Sequence, residues 1–394
     1  MNSLNDRLRN RLNKIETNGK LRCLTSTSPG DGARIIYQGK STLNLSGNDY
    51  LGLARNRELL IDFYQKKSLE NCLERYSLGS GGSRLMTGNF SSYPLLEQDL
   101  AKMYRAEAAI IFNSGYHLNI GILPALTGKN DLILADKLCH ASLIDGMRLS
   151  RAEVIRYRHN DYQQLEELLI AKSNQYEQIF LVTESIFSMD GDLADLSTLV
   201  ALKKKFNACL LVDEAHSVGI RGLSGLGLAE EQGCLAEIDI LIGTFGKAWG
   251  GQGAFVVCSE LLAKYLINTV RSFIFTTALP PVNILWLRHI ALKIPQMQKK
   301  REHVRNLRAN LGKALLSEEL RIGGDSHILP VFVGESSKAL RLAKELRQHG
   351  YWITGVRPPT VPEGTARLRL SLNAAMDWCD LEPLPKLLAS LMEK

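Results

Sequence analysis

Short apolar runs alternate with segments of helical periodicity from about residue 95 to residue 260, and this alternation restricts the fold more than any other sequence feature. Strands are predicted over 108–112, 132–135, 179–182, 209–212, 238–242 and 254–257. Helices are predicted between them, for example over 94–104 and, with Asp195 as its cap, over 196–206. Near-continuous apolar strands separated by helices are typical of a parallel sheet covered on both faces. We therefore expect an α/β fold built on a large, mostly parallel sheet.

The pattern changes after about residue 285, where a long charged helical stretch begins. A strand is predicted over 328–333, a helix over 337–349 that Gly350 closes, and a further strand over 367–372. This mixture predicts a smaller α+β domain. We place an N-terminal helix and extended segment at 1–50, the large domain at 51–285 and the small domain at 286–394.

The first residues have the spacing of an amphipathic helix. Leu4, Leu8, Leu12 and Ile15 recur at intervals of three or four residues, which places them on one helix face. An apolar stripe of this kind normally packs against other apolar surface. We therefore expect this helix to dock on the smaller domain.

Composition and charge argue against two classes of partner. The chain is 45% hydrophobic and 23% charged, as is usual for a globular protein, and no apolar run reaches the roughly 18 residues of a membrane helix. The net charge of +7 is spread along the sequence, and the short basic clusters at 203–205 and 299–301 are typical of helix surfaces. We expect neither a membrane nor a nucleic acid as partner.

The cysteines point to a reducing compartment. Their number is odd and no pair forms C-x-x-C; they are Cys23, Cys72, Cys139, Cys209, Cys234, Cys258 and Cys379. This pattern is typical neither of a disulfide framework nor of a zinc site. We expect no metal and a cytoplasmic location.

Two glycine-containing stretches fail as nucleotide-binding motifs. Gly39-Lys40-Ser41 ends like a P-loop, but Arg34 stands where that loop requires glycine. The run at 79–84, GSGGSR, does not match G-x-G-x-x-G and follows no clear strand. Neither class of nucleotide-binding protein is supported.

An aspartate and a lysine follow two of the predicted strands. Asp213 comes directly after an apolar run, and a carboxylate placed there needs a cationic or hydrogen-bonding partner. Lys247 lies among glycines just past the next strand, in the stretch TFGKAWGG. Pyridoxal phosphate meets both needs, since its aldehyde forms a Schiff base with lysine and its protonated ring nitrogen pairs with a carboxylate. We therefore predict this cofactor, with the glycines leaving room for it.

Other residues at the strand ends fit the same cofactor. Ligands of open parallel sheets bind at the carboxyl ends of the strands. There, Ala215 is small enough to lie under a flat ring, His140 could stack over it, and His216 could hydrogen-bond the ring oxygen. Gly115 and Tyr116 open a predicted helix whose N-H groups suit a phosphate.

Each of these residues also has a structural interpretation. Asp213 alone could cap a helix or bind a metal, the two histidines could be hydrogen-bonded structural residues, and Lys247 alone could be a surface charge. The order of the residues along the chain favours the cofactor. A glycine turn follows the first strand, then comes a histidine, then Asp-x-x-His, then Thr-x-Gly-Lys.

The sequence resembles the pyridoxal-phosphate-dependent α-oxoamine synthases, which have the aspartate-aminotransferase-like fold, fold type I. The resemblance runs from about residue 44 to the C-terminus. It is carried by LNLSGNDYLGLA, GSGGSRLMTGN, DKLCHASLIDG, ESIFSMDGD, LLVDEAHSVG, GTFGKAWGGQGAF and GVRPPTVPEGTARLRLSLNAA. The blocks stand in the order that this family has.

The resemblance implies catalytic and cofactor roles. Lys247 would carry the cofactor and act as general base, Asp213 would keep the ring nitrogen protonated, and His140 would stack on the ring and help position the acyl group. The other implied cofactor contacts are Ser188 and His216 at the ring oxygen and Gly115, Tyr116 and Thr244 at the phosphate.

The resemblance also implies a substrate site. Arg369 would clamp the amino-acid carboxylate with help from Asn48, because a planar guanidinium matches a carboxylate in two parallel hydrogen bonds. Arg369 equally fits a half-buried strand in which polar and leucine residues alternate. Arg22 and Thr360 match further substrate positions of the family.

The last implied features are the assembly and the reaction. Thr276 and Thr277 resemble residues that reach a neighbouring subunit's cofactor, so a homodimer with shared active sites is expected. RPPTVPEGTARLRLSL most resembles members that join L-alanine to a pimeloyl thioester of coenzyme A or a carrier protein, releasing carbon dioxide. Glycine- or serine-using members, an aminotransferase and a non-catalytic basic protein are the alternatives. Trp249, where the family has other apolar residues, could alter the channel for the acyl chain.

Overall fold

The structure of the protein, a computed structural model, describes residues 3–17, 19–65 and 77–393. It contains two compact units. The larger unit comprises 48–188 and 192–303, and the smaller unit comprises 1–47, 189–191 and 304–394. Cys72 lies outside the described residues. The predicted domain bounds of 1–50, 51–285 and 286–394 stay a prediction.

The strands are named in chain order. They are β1 (Ser28–Pro29), β2 (Arg34–Tyr37), β3 (Lys40–Asn44), β4 (Ala108–Phe112), β5 (Asp131–Asp136), β6 (Glu153–Tyr157), β7 (Gln178–Glu184), β8 (Cys209–Asp213), β9 (Ile240–Thr244), β10 (Ala254–Cys258), β11 (Ile328–Gly334), β12 (Tyr351–Trp352), β13 (Thr354–Val356) and β14 (Ala366–Ser371).

The α-helices are named in the same way. They are α1 (Leu4–Thr17), α2 (Arg57–Gln65), α3 (Ser92–Tyr104), α4 (Gly115–Leu126), α5 (Ala141–Leu149), α6 (Tyr162–Lys172), α7 (Leu196–Phe206), α8 (Leu228–Glu231), α9 (Glu260–Thr269), α10 (Arg271–Ile274), α11 (Pro281–Ala291), α12 (Gln298–Ser317), α13 (Ser336–Gln348), α14 (Trp378–Leu381) and α15 (Leu384–Glu393).

The larger unit is organised around a sheet in which seven strands of the described chain have the order β4-β10-β9-β8-β7-β5-β6. Neighbouring strands are parallel from β9 to β6, whereas β10 is antiparallel to both of its neighbours. The predicted mostly parallel sheet is therefore confirmed. Its central strands are buried because helices cover them, and the core includes Ile133, Val182, Leu211, Ile242, Leu118 and Leu143.

Helix caps are encoded locally in the sequence. The Asp195 side chain accepts the N-H of Thr198 and so starts α7 as predicted. At α4, the Ser114 side chain accepts the N-H of His117. These caps fix where each helix begins, and α4 begins directly after the end of β4, at the carboxyl edge of the sheet.

The start of β9 and the presence of β6 differ from the sequence prediction. Strand β9 begins at Ile240 rather than at residue 238, because the Asp239 carboxylate accepts the N-H of Leu210 and an ammonium hydrogen of Lys203. Strand β6 was not predicted. It lies at the edge of the sheet and is only partly buried, so its residues lack the apolar run of a central strand.

The smaller unit contains two short sheets, with orders β1-β2-β3-β12 and β11-β14-β13. Strand β14 is buried along its whole length and pairs antiparallel with both of its neighbours. Helix α13 contributes Ala339, Leu342, Ala343 and Leu346 to the core of this unit. The predicted elements of an α+β arrangement at 328–372 are thus present, with ends shifted by one residue.

The predicted docking of the N-terminal helix is wrong for the single chain. Leu4, Leu8, Leu12 and Ile15 do lie in one helix, α1, but all four side chains are exposed. Periodicity places apolar residues on one face of a helix, whereas it does not say which surface covers that face.

Candidate active site

A cavity of about 180 Å³ opens at the carboxyl edge of the large sheet, entirely within the larger unit. Residues that follow β4, β5, β7, β8 and β9 meet there. The lining residues are Gly115, Tyr116, Asn119, His140, Ser142, Glu184, Asp213, Ala215, His216, Thr244 and Lys247. The structure therefore brings together most of the residues predicted to bind the cofactor.

Asp213 ends β8 with its side chain buried, and both carboxylate oxygens accept hydrogen bonds. The backbone N-H of Ala215 donates to Oδ1 at 2.9 Å, and Asn119 Nδ2 donates to Oδ2 at 2.8 Å. Asn119 comes from α4 and is 2% exposed. These bonds fix the carboxylate at the cavity wall without neutralising its charge, so it remains able to pair with a cation.

His140 is tied to the same network. Its Nδ1 accepts the N-H of Ser142 at 3.2 Å and lies 2.8 Å from the Ser142 hydroxyl. That hydroxyl in turn accepts a hydrogen bond of 3.0 Å from Asn119 Nδ2. A hydrogen-bonded chain thus runs from His140 through Ser142 and Asn119 to Asp213.

The cavity keeps His140 neutral at neutral pH. Loss of hydration lowers the pKa of His140, the charge of Asp213 opposes this change, and the charge of Lys247 adds to it. A neutral imidazole can stack on a flat ring and accept or donate one proton.

Glu184 is a second buried carboxylate, a residue near a predicted strand end to which no role was assigned from the sequence. It ends β7, where it pairs in register with Asp213 on β8, and it accepts the backbone N-H of His140. Burial raises its pKa well above the usual value and the charge of Asp213 acts in the same direction, while Lys247 and the His140 N-H oppose them. The cavity therefore contains two adjacent carboxyl groups and one ammonium group.

His216 is oriented by a tyrosine. Its Nδ1 lies 2.6 Å from the hydroxyl of Tyr50, which is 1% exposed. The same hydroxyl donates to Asn48 Oδ1 at 3.0 Å. Tyr50 thereby links a predicted cofactor residue to Asn48, a predicted substrate residue.

Hydrogen bonds within residues 244–253 fix the loop that carries Lys247. The N-H of Phe245 donates to Gly253, the N-H of Gly250 donates to the carbonyl of Lys247, and the Thr244 hydroxyl accepts the N-H of Gly246. Lys247 projects from this turn into the cavity.

The hypothesis that Trp249 shapes an acyl channel is wrong. Its side chain is fully buried, with its ring 5.2 Å from that of Phe245 and 6.0 Å from that of Phe255. The indole also packs on Gly219, where an added Cβ would come within 3.4 Å of Trp249 Cδ1. Trp249 therefore belongs to the core beneath the lysine loop.

Three predicted cofactor residues are not among those that line the cavity. Asn113, just past β4, donates from Nδ2 to the Thr276 hydroxyl at 3.2 Å and to the Thr277 carbonyl at 2.6 Å. Ser188 lies on the segment that follows β7. The roles predicted for Ser188, Thr276 and Thr277 stay predictions.

The remaining predicted substrate residues belong to the smaller unit. Arg22 Nη2 donates to the Thr360 hydroxyl at 3.3 Å, so these two predicted positions lie side by side. Arg369 lies on β14, is 8% exposed and donates to the Ser371 hydroxyl at 2.6 Å. Their roles in substrate binding stay predictions.

The cavity residues fit pyridoxal phosphate. The N-H groups of the first turn of α4 have no acceptor within the helix, and a Cβ added at Gly115 would meet nothing within 4 Å, so this helix end is open to a phosphate. A buried carboxylate, Asp213, suits a protonated ring nitrogen, and the amine of Lys247 suits an aldehyde. The cavity thus offers partners for the phosphate, the ring nitrogen and the aldehyde of the cofactor.

The sequence predicted no role for four residues of the site, which are Asn119, Ser142, Glu184 and Tyr50. Glu184 follows the strand predicted over 179–182, so its place at a strand end is a signal that it belongs to the site. Asn119 lies in the second turn of a helix, and nothing in the sequence distinguishes it from a solvent-exposed asparagine.

The chain belongs to the aminotransferase class I and II family, whose sequence model matches residues 40–386. Within that family, the resemblance to α-oxoamine synthases is confirmed by similar proteins. The chain is 48% identical to an 8-amino-7-oxononanoate synthase from Chlorobaculum parvum over 378 residues, which cover 96% of each chain. It is 49% identical to one from Haemophilus ducreyi over 361 residues, 90% of this chain and 92% of the relative.

A solved structure of similar fold is the serine palmitoyltransferase from S. paucimobilis with PLP and myriocin bound. It superposes with a TM-score of 0.89 at 29% identity and covers 98% of this chain and 96% of that chain. The predicted fold type I architecture is therefore confirmed.

We expect the two charges beside His140 to move its pKa in opposite directions. Asp213→Asn removes a negative charge and should lower the pKa of His140 further, whereas Lys247→Gln removes a positive charge and should raise it. Histidine NMR titration of the cofactor-free variants measures both shifts. Asp131→Asn, at the opposite end of β5, should leave this pKa unchanged, and equal shifts in all three variants would contradict the described electrostatics.

Proposed function

We propose that this chain catalyses the 8-amino-7-oxononanoate synthase reaction, with pyridoxal phosphate as cofactor. In it, L-alanine condenses with a pimeloyl thioester, the thiol leaves, carbon dioxide is released and an amino ketone forms. The observation that carries the proposal is the single cavity in which Asp213, His140 and Lys247 meet at the edge of the sheet.

Sequence identity favours this member of the family over its alternatives. The two relatives of this name described above are 48% and 49% identical to the chain, whereas the serine palmitoyltransferase described above is 29% identical. A methyl-sized difference between substrates such as alanine and glycine changes specificity only modestly, so the choice of amino acid needs a direct assay.

Each residue of the cavity has a distinct role in the proposed reaction. Bound pyridoxal phosphate supplies a protonated ring that accepts the electron pair left when a bond at the amino acid's Cα breaks. The Asp213 carboxylate holds the proton on the ring nitrogen, and the Lys247 amine anchors the cofactor and then takes the proton from Cα. Asn119 and Ala215 keep the carboxylate aimed at the ring.

His140 and His216 position the reacting groups. Neutral His140 stacks on the ring face and can hydrogen-bond the carbonyl oxygen of the acyl donor. His216, oriented by Tyr50, hydrogen-bonds the ring oxygen. The N-H groups at the start of α4 hold the phosphate together with Thr244.

Arg369 is proposed as the clamp for the amino-acid carboxylate. Its planar guanidinium offers two parallel N-H donors, a geometry that matches a carboxylate. Arg22 and Thr360 form a second polar pair in the same unit and are proposed to contact the acyl donor. Asn48 is proposed to assist at the amino-acid carboxylate.

The six cysteines within the described residues are all free thiols, which supports a reducing cytoplasm as the location. Within those residues, no helix is both long and apolar enough to cross a membrane. We propose no membrane or nucleic-acid partner.

The amino-acid preference provides the first test. With pimeloyl-coenzyme A, we expect L-alanine to give the amino ketone, free thiol and carbon dioxide, and glycine to react with a kcat/KM roughly 10- to 200-fold lower. Product mass spectrometry measures the outcome. Preferential turnover of serine would assign the chain to the serine-using members, and a keto acid formed without thiol release would indicate an aminotransferase.

Lys247→Ala is the matched negative variant for that assay and should abolish both turnover and the visible cofactor absorbance. Lys264→Ala is its control, because Lys264 is exposed and pairs only with Glu260 on its own helix in the described contacts. Parent protein that binds no pyridoxal phosphate would overturn the proposed function altogether.

A second test concerns the proposed carboxylate clamp. Arg369→Lys keeps the charge but removes the planar pair of donors, so the KM for L-alanine should rise roughly 10- to 100-fold while kcat changes less. Steady-state kinetics at varied alanine measures the split. Arg341→Lys, an arginine of α13 that pairs with Glu345, should behave like the parent, and an unchanged KM in Arg369→Lys would exclude the clamp.

We also propose a homodimer with shared active sites. Leu85, Met86 and Phe275 are exposed large apolar side chains. They lie next to the bridge between Ser83 and Thr277. Exposed apolar side chains concentrated in one region are typical of an interface between subunits.

Mixing two inactive variants tests this assembly. If Thr276 and Thr277 serve the partner's site, a hybrid of Lys247→Ala with a Thr276→Ala/Thr277→Ala double variant contains one complete site. Its activity should then recover to about half that of the parent, by the statistics of a two-fold dimer. Absence of recovery in a hybrid shown by native mass spectrometry to have formed would refute shared sites.

A further inference from the structure

A cluster of three charged side chains lies beside the cavity in the larger unit and has no role in the reaction described above. His159, just past β6, faces Asp136 at the end of β5, with Nδ1 2.9 and 3.1 Å from the two carboxylate oxygens. Its Nε2 hydrogen-bonds the carboxylate of Asp192. Both ring nitrogens of His159 therefore face acceptors that carry negative charge.

The cluster requires a protonated histidine. Asp136 is fully buried, and an uncompensated buried carboxylate is costly. Burial by itself lowers the pKa of His159, but hydrogen bonds to and charges of Asp136 and Asp192 outweigh it and raise that pKa to about 10. His159 is thus a cation between two anions over the physiological range.

Asp136 connects this cation to His140. One Asp136 carboxylate oxygen accepts the N-H of Leu138 at 2.8 Å, and the Asp136 carbonyl accepts the N-H of Cys139 at 3.2 Å. His140 is the next residue. The turn that delivers His140 to the cavity is therefore built on a carboxylate that His159 holds in place.

Asp192 connects the same cation to the segment that carries Ser188. The Asp192 carbonyl accepts the N-H of Phe187 at 3.2 Å, and Ile186 forms a β-bridge with Leu193. The ring of Phe187 also meets the His159 imidazole edge-on, with centroids 4.4 Å apart. The segment between β7 and α7 is thus anchored on His159 as well.

We propose that His159 is a positioning residue whose positive charge clamps two segments, 136–140 and 185–188, so that His140 and Ser188 are held in place for the cofactor. The inference rests on the proposed cofactor site, but it is independent of which amino acid or thioester reacts.

An ion pair and two tyrosines that stay neutral over this pH range also surround His159. Arg158 and Asp161 form their own ion pair at 2.6 Å. Tyr162 on α6 donates to Asn160, and burial raises its pKa to about 12. Burial also raises the pKa of Tyr157 well above the usual value. Among His159, Asp136 and Asp192, a change of pH between about 6.5 and 10 therefore acts on the charge of His159. Glu184, which accepts the N-H of His140 and whose pKa is raised by burial, is a separate group that both Asp192→Asn and the parent retain.

The test is Asp192→Asn, which keeps the shape of the side chain and removes one of the two anions. The raised pKa of His159 means that its contribution is complete below about pH 6.5 and is lost as pH rises through the folded value. The variant should show this loss at lower pH than the parent. One pH unit above the new pKa of His159, the cofactor should bind about tenfold more weakly, because one molecule in about ten remains competent.

Three measurements on the full chain are needed. Histidine NMR gives the pKa of His159, absorbance titration gives the dissociation constant of pyridoxal phosphate against pH, and amide hydrogen exchange reports on 136–140 and 185–188. Asp131→Asn is the control, because this aspartate lies at the other end of β5 and accepts the N-H of Gly128. It should retain the parent's pH profile.

His159→Gln supplies a second variant that does not depend on how Asp192→Asn folds. At every pH below the folded pKa of His159, it should weaken cofactor binding relative to the parent and increase exchange in the two segments, with β10 unaffected. The inference is overturned if the pKa of His159 falls in Asp192→Asn while the cofactor affinity keeps the parent's pH profile, or if His159→Gln binds the cofactor like the parent. If the parent protein itself binds no cofactor, the proposed function fails as well. That outcome is therefore distinct from a failure of the His159 inference alone.

Discussion

A buried negative charge at the carboxyl edge of a parallel sheet is the constraint on which the rest of this structure depends. Asp213 is 6% exposed, and its oxygens are occupied by donors from its own turn and from Asn119. A carboxylate placed there is stable only if neighbouring groups supply donors and positive charge. The loop that carries Lys247, helix α4 and the turn that carries His140 all lie around this carboxylate.

The same requirement is met a second time, two strands further along the sheet. Asp136 is also buried, but its counter-charge is the imidazolium of His159. The two sites share the segment from Asp136 to His140. One buried anion therefore organises the chemistry, and the other organises the backbone that brings His140 to it.

The sequence predicted the elements of the sheet well where the apolar runs are long. Strand β8 and helix α7 were predicted to within one residue, because a buried strand and a capped amphipathic helix are encoded by neighbouring residues. The start of β9 and the whole of β6 were missed. In the first case Asp239 bonds to residues some thirty positions away, and in the second an edge position removes the apolar pattern.

The sequence by itself determined the fold class, the cofactor and the residues that follow the strand ends, because a parallel sheet brings those ends together whatever the intervening helices contain. Only the tertiary structure decided that Glu184 stands next to Asp213, that Asn119 and Tyr50 orient the site, and that Trp249 lies in the core. These relations join residues from different elements. Their distances depend on packing, which no local pattern of residues encodes.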